Sequence, residues 1–281
     1  MLEIKNLQKK FGKKAVLDQF SFAFEPGVYG LLGPNGAGKT TFIRCLTRIY
    51  PIKKGMIYYR GRDINQEKDY LAHVGYLPQK FGVFKDLKVF DMMQMMASLK
   101  ELDRAVAKRE IGRVLEQVNL SDQINSKVGA LSGGMVRRLG IAQALLGSPE
   151  ILLFDEPTAG LDPEERLRFK NIISTLSRDR LVIVSTHIVE DVEAVCDRVA
   201  VMKARNISIC GSCEEIEALA RGKVYEIEES RLDELSGTYH IQKYIERDGV
   251  KFAKILTSAP QPAAPVKPNV EDGYICLLKE I

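Results

Sequence analysis

The chain contains no apolar run of the ~20 residues needed to cross a bilayer, and residues 1–10 are too polar for a secretory signal. Both absences point to a soluble protein that stays in the cytoplasm. Cysteine is scarce: five residues, an odd number without a leader peptide, fit free buried thiols in a reducing compartment better than a disulfide framework. The CxxC at Cys210-Gly211-Ser212-Cys213 has no second cysteine pair and no nearby histidine to complete a tetrahedral metal set, so it reads as a strand-to-helix turn. Of the three histidines, His73 and His240 sit in strand-like contexts without partners and read as structural. Excess charge is lacking too. With 41 basic and 37 acidic residues the net charge is +4, which does not mark a nucleic-acid binder. No internal repeat or low-complexity segment occurs, and 281 residues can bury one large core, or one core and a small appendage.

What is present is a succession of strand and helix patterns. Residues 2–7 and 20–24 alternate apolar and polar as half-buried strands, with a basic turn over 9–14 between them. The apolar runs 28–32, 151–154 and 181–184 read as buried strands, and 56–59 and 74–79 as further strands. Residues 89–102 and 104–118 carry apolar residues at helical spacing, and a third helix runs through 136–146; the change of character from 81 to 148 marks a helical insertion. Met92, Met93, Met95 and Met96 fill the core of that insertion or contribute to an adaptable apolar groove. Asp162-Pro163-Glu164-Glu165 starts a helix, with Asp162 as N-cap and acids in the first turn. A helix over 188–196, strands over 199–204 and 207–209, and a short helix over 214–219 follow. Past Gly222 the composition shifts: strands over 223–227, 239–246 and 250–256 with an Asp248-Gly249 hairpin turn, a proline-rich extended stretch over 259–268, and a closing helix over 270–280.

The chemistry concentrates where strands end in polar residues. Gly33-Pro34-Asn35-Gly36-Ala37-Gly38-Lys39-Thr40-Thr41 fits the phosphate-binding pattern G-x-x-x-x-G-K-[ST] between a buried strand and a helix over 40–47. Its glycines let backbone N–H groups turn inward on a polyphosphate, Lys39 neutralises the far end, and Thr40 offers a hydroxyl to Mg²⁺. In an open parallel sheet, ligands bind beyond the carboxyl ends of the strands, so Gln79, Asp155-Glu156 and His187 should converge on that loop. Phosphoryl transfer gives each a task. Asp155 orients the metal's shell, Glu156 holds and polarises the attacking water, and His187 hydrogen-bonds the γ-phosphate. Phe11, shortly before the loop, offers a ring to adenine. Ser132-Gly133-Gly134, opening a helix, presents free N–H groups and a positive dipole end, an anion site in need of a phosphate.

In this order, Phe11, residues 33–41, Gln79, residues 131–135, residues 151–156, residues 159–162 and His187 resemble an ATP-binding cassette (ABC) ATPase, over about residues 2–219. The Ser-Gly-Gly signature upstream of the second phosphate motif is the specific feature. The resemblance implies an α/β P-loop NTPase fold, with a cassette over 1–222 made of a RecA-like lobe (1–80 and 149–222) and an α-helical subdomain (81–148), and a small C-terminal α/β extension over 223–281. It implies ATP and Mg²⁺ as ligands, with Gln79 joining the helical insertion to a metal site shared with Thr40 and Asp155. It also implies a composite site, in which Ser132, Gly133 and Gly134 of one cassette contact the γ-phosphate on the 33–41 loop of a second cassette, with Asp162 at the interface. That second cassette is an identical copy or a related chain. Residues 80–87 would dock a cytoplasmic helix of an integral membrane permease subunit, holding the chain on the inner face of the membrane.

Met135, where many members have glutamine, the following 136–140 and the segment 268–274 look like the ABC-2 type exporter branch. The rival reading is a soluble ABC ATPase acting on nucleic acid or the ribosome. DNA-repair members are split by long coiled coils and translation factors carry two cassettes; neither feature is present, and no nucleic-acid partner is expected. A third reading, a regulatory module without turnover, is opposed by the intact set of Lys39, Asp155, Glu156 and His187.

Overall fold

The computed structural model describes residues 1–176 and 179–281, and these form two compact units, Met1–Cys210 and Gly211–Ile281. The first unit begins with β1 (Leu2–Phe11) and β2 (Lys14–Phe24), followed by β3 (Gly27–Leu32) and α1 (Lys39–Leu46). Next come β4 (Ile57–Tyr59), β5 (Arg62–Asp63), β6 (Val74–Leu77) and the helices α2 (Val89–Leu99), α3 (Arg104–Gln117) and α4 (Gly133–Leu145). It closes with β7 (Ile151–Asp155), α5 (Pro163–Thr175), β8 (Leu181–Thr186), α6 (Val189–Glu193), β9 (Arg198–Lys203) and β10 (Asn206–Gly211).

These strands build two sheets. A six-stranded sheet has the order β10-β9-β3-β8-β7-β6, and β9, β3, β8, β7 and β6 pair in parallel. A four-stranded sheet has the order β2-β1-β4-β5 and is antiparallel. All residues of β7 and β8 are buried, as expected of parallel strands covered on both faces. Their alternate side chains go to different cores. Leu152, Phe154, Val182 and Val184 pack with residues of α2 to α5, whereas Ile151, Leu153, Leu181 and Ile183 pack with α1 and the antiparallel sheet. The period-2 side-chain alternation of a strand therefore assigns one face to the helical insertion and the other to the nucleotide-loop helix. Met92 and Met93 are fully buried in the first of these cores and Met96 packs against it.

Local boundaries differ from the sequence pattern at identifiable points. The basic run over 9–14 is mostly strand, with Lys9 opposite Leu17 and Lys10 opposite Ala15, and only Gly12 and Lys13 turn. Helix α2 stops at Leu99 because Glu101 takes a left-handed φ of 58° and the N–H groups of Glu101 and Leu102 close on Ser98 O and Ala97 O at 3.0 and 3.1 Å. That is a Schellman ending without its usual glycine. Helix α6 covers only Val189–Glu193 of the expected 188–196.

The second unit opens with α7 (Cys213–Ala218), started by a Ser212/Glu215 capping box. Strands β11 (Val224–Glu228), β12 (His240–Arg247) and β13 (Val250–Leu256) follow, then α8 (Val270–Lys279). The sheet order is β11-β13-β12, antiparallel throughout. Val224 and Leu256 pack with Cys276 on one face, while Tyr225, Ile227, Ala253 and Ile255 form a second cluster. At Gly273 of α8 an added Cβ would lie 1.8 Å from Ile216 O, so only glycine permits the approach of α8 to α7. The proline-rich stretch forms no helix or strand. This unit starts before the composition shift at Gly222, because α7 groups with α8.

Candidate nucleotide site

The loop between β3 and α1 is shaped by Gly38, whose φ of 109° favours glycine and whose Cβ would meet Val16 O at 3.0 Å. No side chain caps α1, so its N-terminal N–H groups and dipole remain available to an anion. Lys39, the first residue of α1, is buried and turns back over the loop. Its Nζ donates to Gly33 O at 2.6 Å and to Pro34 O at 3.4 Å, and lies 3.4 Å from Glu156 Oε1. Burial pulls the Lys39 ammonium below its ordinary pKa, and the charge of Glu156 opposes that fall.

The acidic end of β7 lies beside the loop. Asp155 is fully buried; its Oδ1 accepts from Thr40 Oγ1 at 3.0 Å and from Ser185 Oγ at 2.7 Å. Its Oδ2 is buried without a hydrogen-bond partner. Desolvation raises the Asp155 pKa, and the Ser185 and Thr40 hydroxyls counter it. Glu156 follows with a left-handed φ of 48°, a conformation that costs a non-glycine residue about 1–2 kcal/mol. Its N–H donates to Ser185 O and Oγ at 3.0 and 3.1 Å. Its carboxylate is shared: Oε1 faces Lys39, and Oε2 lies 2.9 Å from His187 Nδ1. His187 directly follows β8, the strand parallel to β7, which is why two strand ends deliver the pair.

A cavity of about 680 Å³ spans this region, bordered by Phe11, residues 35–41, Gln79 and Glu156. Gly33, Pro34, Asp155 and His187 do not line it; they contact residues that do. Phe11 is 44% exposed and rests edge-on against Tyr50, with ring centroids 5.1 Å apart. Lys14 and Arg205 also border the cavity. The sequence placed Lys14 only in the basic run over 9–14, and it missed Arg205, in the turn after β9, and Ser185, since neither belongs to a motif. His73, expected to lack partners, contacts Glu150 at 3.4 Å and the Tyr59 ring.

Ser132, Gly133 and Gly134 are elsewhere. They line a separate cavity of about 480 Å³ with residues 159–162. Ser132 is the N-cap of α4, its Oγ accepting from Met135 N at 3.2 Å. One chain therefore does not bring Ser132, Gly133 and Gly134 to its own phosphate loop.

A glycine-cradled helix N-terminus, a buried lysine and an acidic pair at the end of a parallel strand of the same sheet define a P-loop ATPase. The family model described as ABC transporter matches residues 17–159. The chain is 38% identical over 207 residues to the uncharacterized ABC transporter ATP-binding protein YhcH of Bacillus subtilis (strain 168), covering 72% of this chain and 67% of that protein. It is 35% identical over 205 residues to the Nod factor export ATP-binding protein I of Burkholderia orbicola (strain AU 1054), covering 72% and 67%. A solved structure of an ATP binding subunit of an ABC transporter shares the fold, with a TM-score of 0.68 at 24% identity over 78% of this chain and 92% of that one. The chain belongs to the ABC transporter family, as an ATP-binding and ATP-hydrolysing subunit. Among the described residues no helix is long and apolar enough to cross a membrane.

Proposed function

We propose that the protein powers export through a separate membrane permease, as one of two cassettes that close on ATP, identical copies or related chains. The observation that carries the hydrolytic part of this reading is the buried Glu156 carboxylate divided between Lys39 and His187 beside the phosphate loop. The export branch is supported by the likeness to a Nod factor export ATP-binding protein and by Met135 and its following residues.

In this mechanism the N–H groups of residues 36–41 and Lys39 bind the β- and γ-phosphates, and Phe11 lies against the adenine. Glu156 holds the attacking water and takes its proton, with His187 fixing the carboxylate and reaching the γ-phosphate. Thr40 and Asp155 suit Mg²⁺: one hydroxyl and one orphaned carboxylate oxygen are what a cation bound mainly through nucleotide phosphates requires. When bound there, with Gln79 alongside, Mg²⁺ supplies charge neutralisation on the phosphates. Ser132, Gly133 and Gly134 complete the site of the second cassette. ATP binding then stabilises the closed pair by its differential affinity, and hydrolysis removes that preference. Residues 80–87 pass the motion to the permease, which keeps the chain peripheral on the inner face of the membrane.

The test is recovery of the tagged protein from detergent-solubilised membranes, with and without ATP. A polytopic membrane protein in the eluate supports the proposal; ribosomes or nucleic acid in its place would transfer the assignment to a soluble ATPase role.

A further inference from the structure

Arg137 lies on α4, one turn beyond Ser132, and spends its whole guanidinium on backbone. Nε donates to Pro157 O at 2.7 Å, Nη1 to Pro78 O at 3.1 Å and Gln79 O at 2.9 Å, and Nη2 to Asp155 O at 3.2 Å and Glu156 O at 2.5 Å. An arginine side chain has five N–H donors, so the set is complete.

The acceptors share a geometric problem. Three of the carbonyls belong to Glu156 and its two neighbours, and Glu156 has the left-handed φ of 48°. Relaxing that backbone toward the right-handed region would swing the carboxylate away from Lys39 and His187. Pro78 and Gln79 directly follow β6, which pairs in parallel with β7 through Leu77 and Phe154. A planar, delocalised fork thus ties two neighbouring strand ends together and joins both to α4. The guanidinium is partly buried, which limits the competition of water for these bonds, and the desolvation lowers its pKa.

We propose that Arg137 is a positioning residue for ATP hydrolysis, its guanidinium holding the strained backbone of Glu156 and that of Gln79 in one frame so that the Glu156 carboxylate is aimed into the nucleotide cavity. The same frame includes α4, so the Ser132 end of this helix keeps its register with Glu156. The proposal rests on Glu156 acting as the base.

Arg137→Lys and Arg137→Ala, made in the full chain, test it beside Glu156→Gln. A lysine has three donors on one nitrogen and cannot span five carbonyls. Misplacing a catalytic group by about 1 Å costs on the order of 100-fold in rate, so kcat should fall at least about tenfold in both variants. Binding of a fluorescent ATP analogue to the monomeric chain should change less than about twofold, because no Arg137 atom borders the phosphate-loop cavity. Arg137 lines the separate Ser132 cavity, so the comparison is made at protein concentrations where cassettes do not pair. Millimolar guanidinium should restore part of kcat to Arg137→Ala and none to Glu156→Gln. Should Arg137→Ala fail to fold, the kcat and binding split of Arg137→Lys still decides. Wild-type kcat in Arg137→Lys overturns the proposal. So does a kcat loss matched by equal losses of nucleotide affinity and melting temperature without rescue, since that is the behaviour of a structural residue. Unchanged turnover in Glu156→Gln removes the base assignment and the proposal with it; inactive Glu156→Gln beside fully active Arg137 variants overturns the proposal alone.

Discussion

Lys39 and Glu156 oppose each other across the phosphate loop at 3.4 Å, both almost fully buried. In this arrangement the carboxylate occupies the lysine that a γ-phosphate needs, so nucleotide binding must compete with an internal ion pair. Glu156→Gln removes the competing charge and one negative neighbour of the phosphates. Its expected phenotype is tighter ATP binding, by several-fold, with turnover reduced by about 100-fold or more, the usual contribution of a general base. Equilibrium nucleotide binding and a phosphate-release assay read both. Unchanged turnover would withdraw Glu156 as the base.

Asp155 offers a second separable effect. Its Oδ1 is engaged by Thr40 and Ser185 while Oδ2 is buried and unpartnered. Asp155→Asn preserves an oxygen for the two hydroxyls and deletes the charge. Nucleotide binding in EDTA should then stay near wild type, while the gain on adding Mg²⁺ falls about 10- to 100-fold, the range for residues that orient a metal's ligands. An equal loss with and without Mg²⁺ would show that Asp155 only supports the loop.

Much of this site was legible in the sequence, because its parts are local: a glycine-rich loop after one apolar run, an acidic pair after another, a histidine after a third. Sheet topology does the rest, bringing the ends of β7 and β8 together in parallel register. Arg137 was not legible as a clamp, since its partners are carbonyls 18 to 59 residues away and every residue carries a carbonyl. The end of α2 was hidden for a related reason, as Glu101 adopts the left-handed turn that glycine usually announces. Lys9 and Lys10 masked the extension of β1, because outward charges on an antiparallel strand interrupt the apolar alternation that marks its length. In the C-terminal unit the strands were readable, but the pairing of Lys254 with Asp272 was not.

That pair carries a prediction about stability. Lys254 Nζ lies 2.7 Å from both Asp272 oxygens, with the side chains 8% and 0% exposed. Asp272 also completes the capping box of α8 with Asn269. Removing one member of a buried pair leaves an uncompensated charge, at a cost of about 3–5 kcal/mol, whereas replacing both with neutral groups of similar size is close to neutral. Asp272→Asn, which can still accept from Asn269 N, should therefore be strongly destabilising, and adding Lys254→Met should recover most of the loss. Urea denaturation of the two single variants and the double variant measures the coupling. Additive losses would mean that the two charges act independently.

Lys100 supplies a pH dependence remote from the nucleotide. Its Nζ donates to Leu146 O at 2.8 Å, and burial lowers its pKa to about 8. An unfolded lysine titrates near 10.4. Below pH 8 the lysine is charged in both states and the folded form bears the full burial penalty. Between about pH 8 and 10 the folded lysine has released its proton while the unfolded one keeps it, so the unfolded state binds more protons and stability rises with pH. The rise from this group is at most about 1.4 kcal/mol per pH unit. Lys100→Met lacks the titrating group. The stability of wild type relative to this variant should be flat from pH 6 to 7.5 and should climb in favour of wild type toward pH 10, by urea denaturation at each pH. Parallel curves across that window would show that the Lys100 ammonium keeps its water in the folded protein.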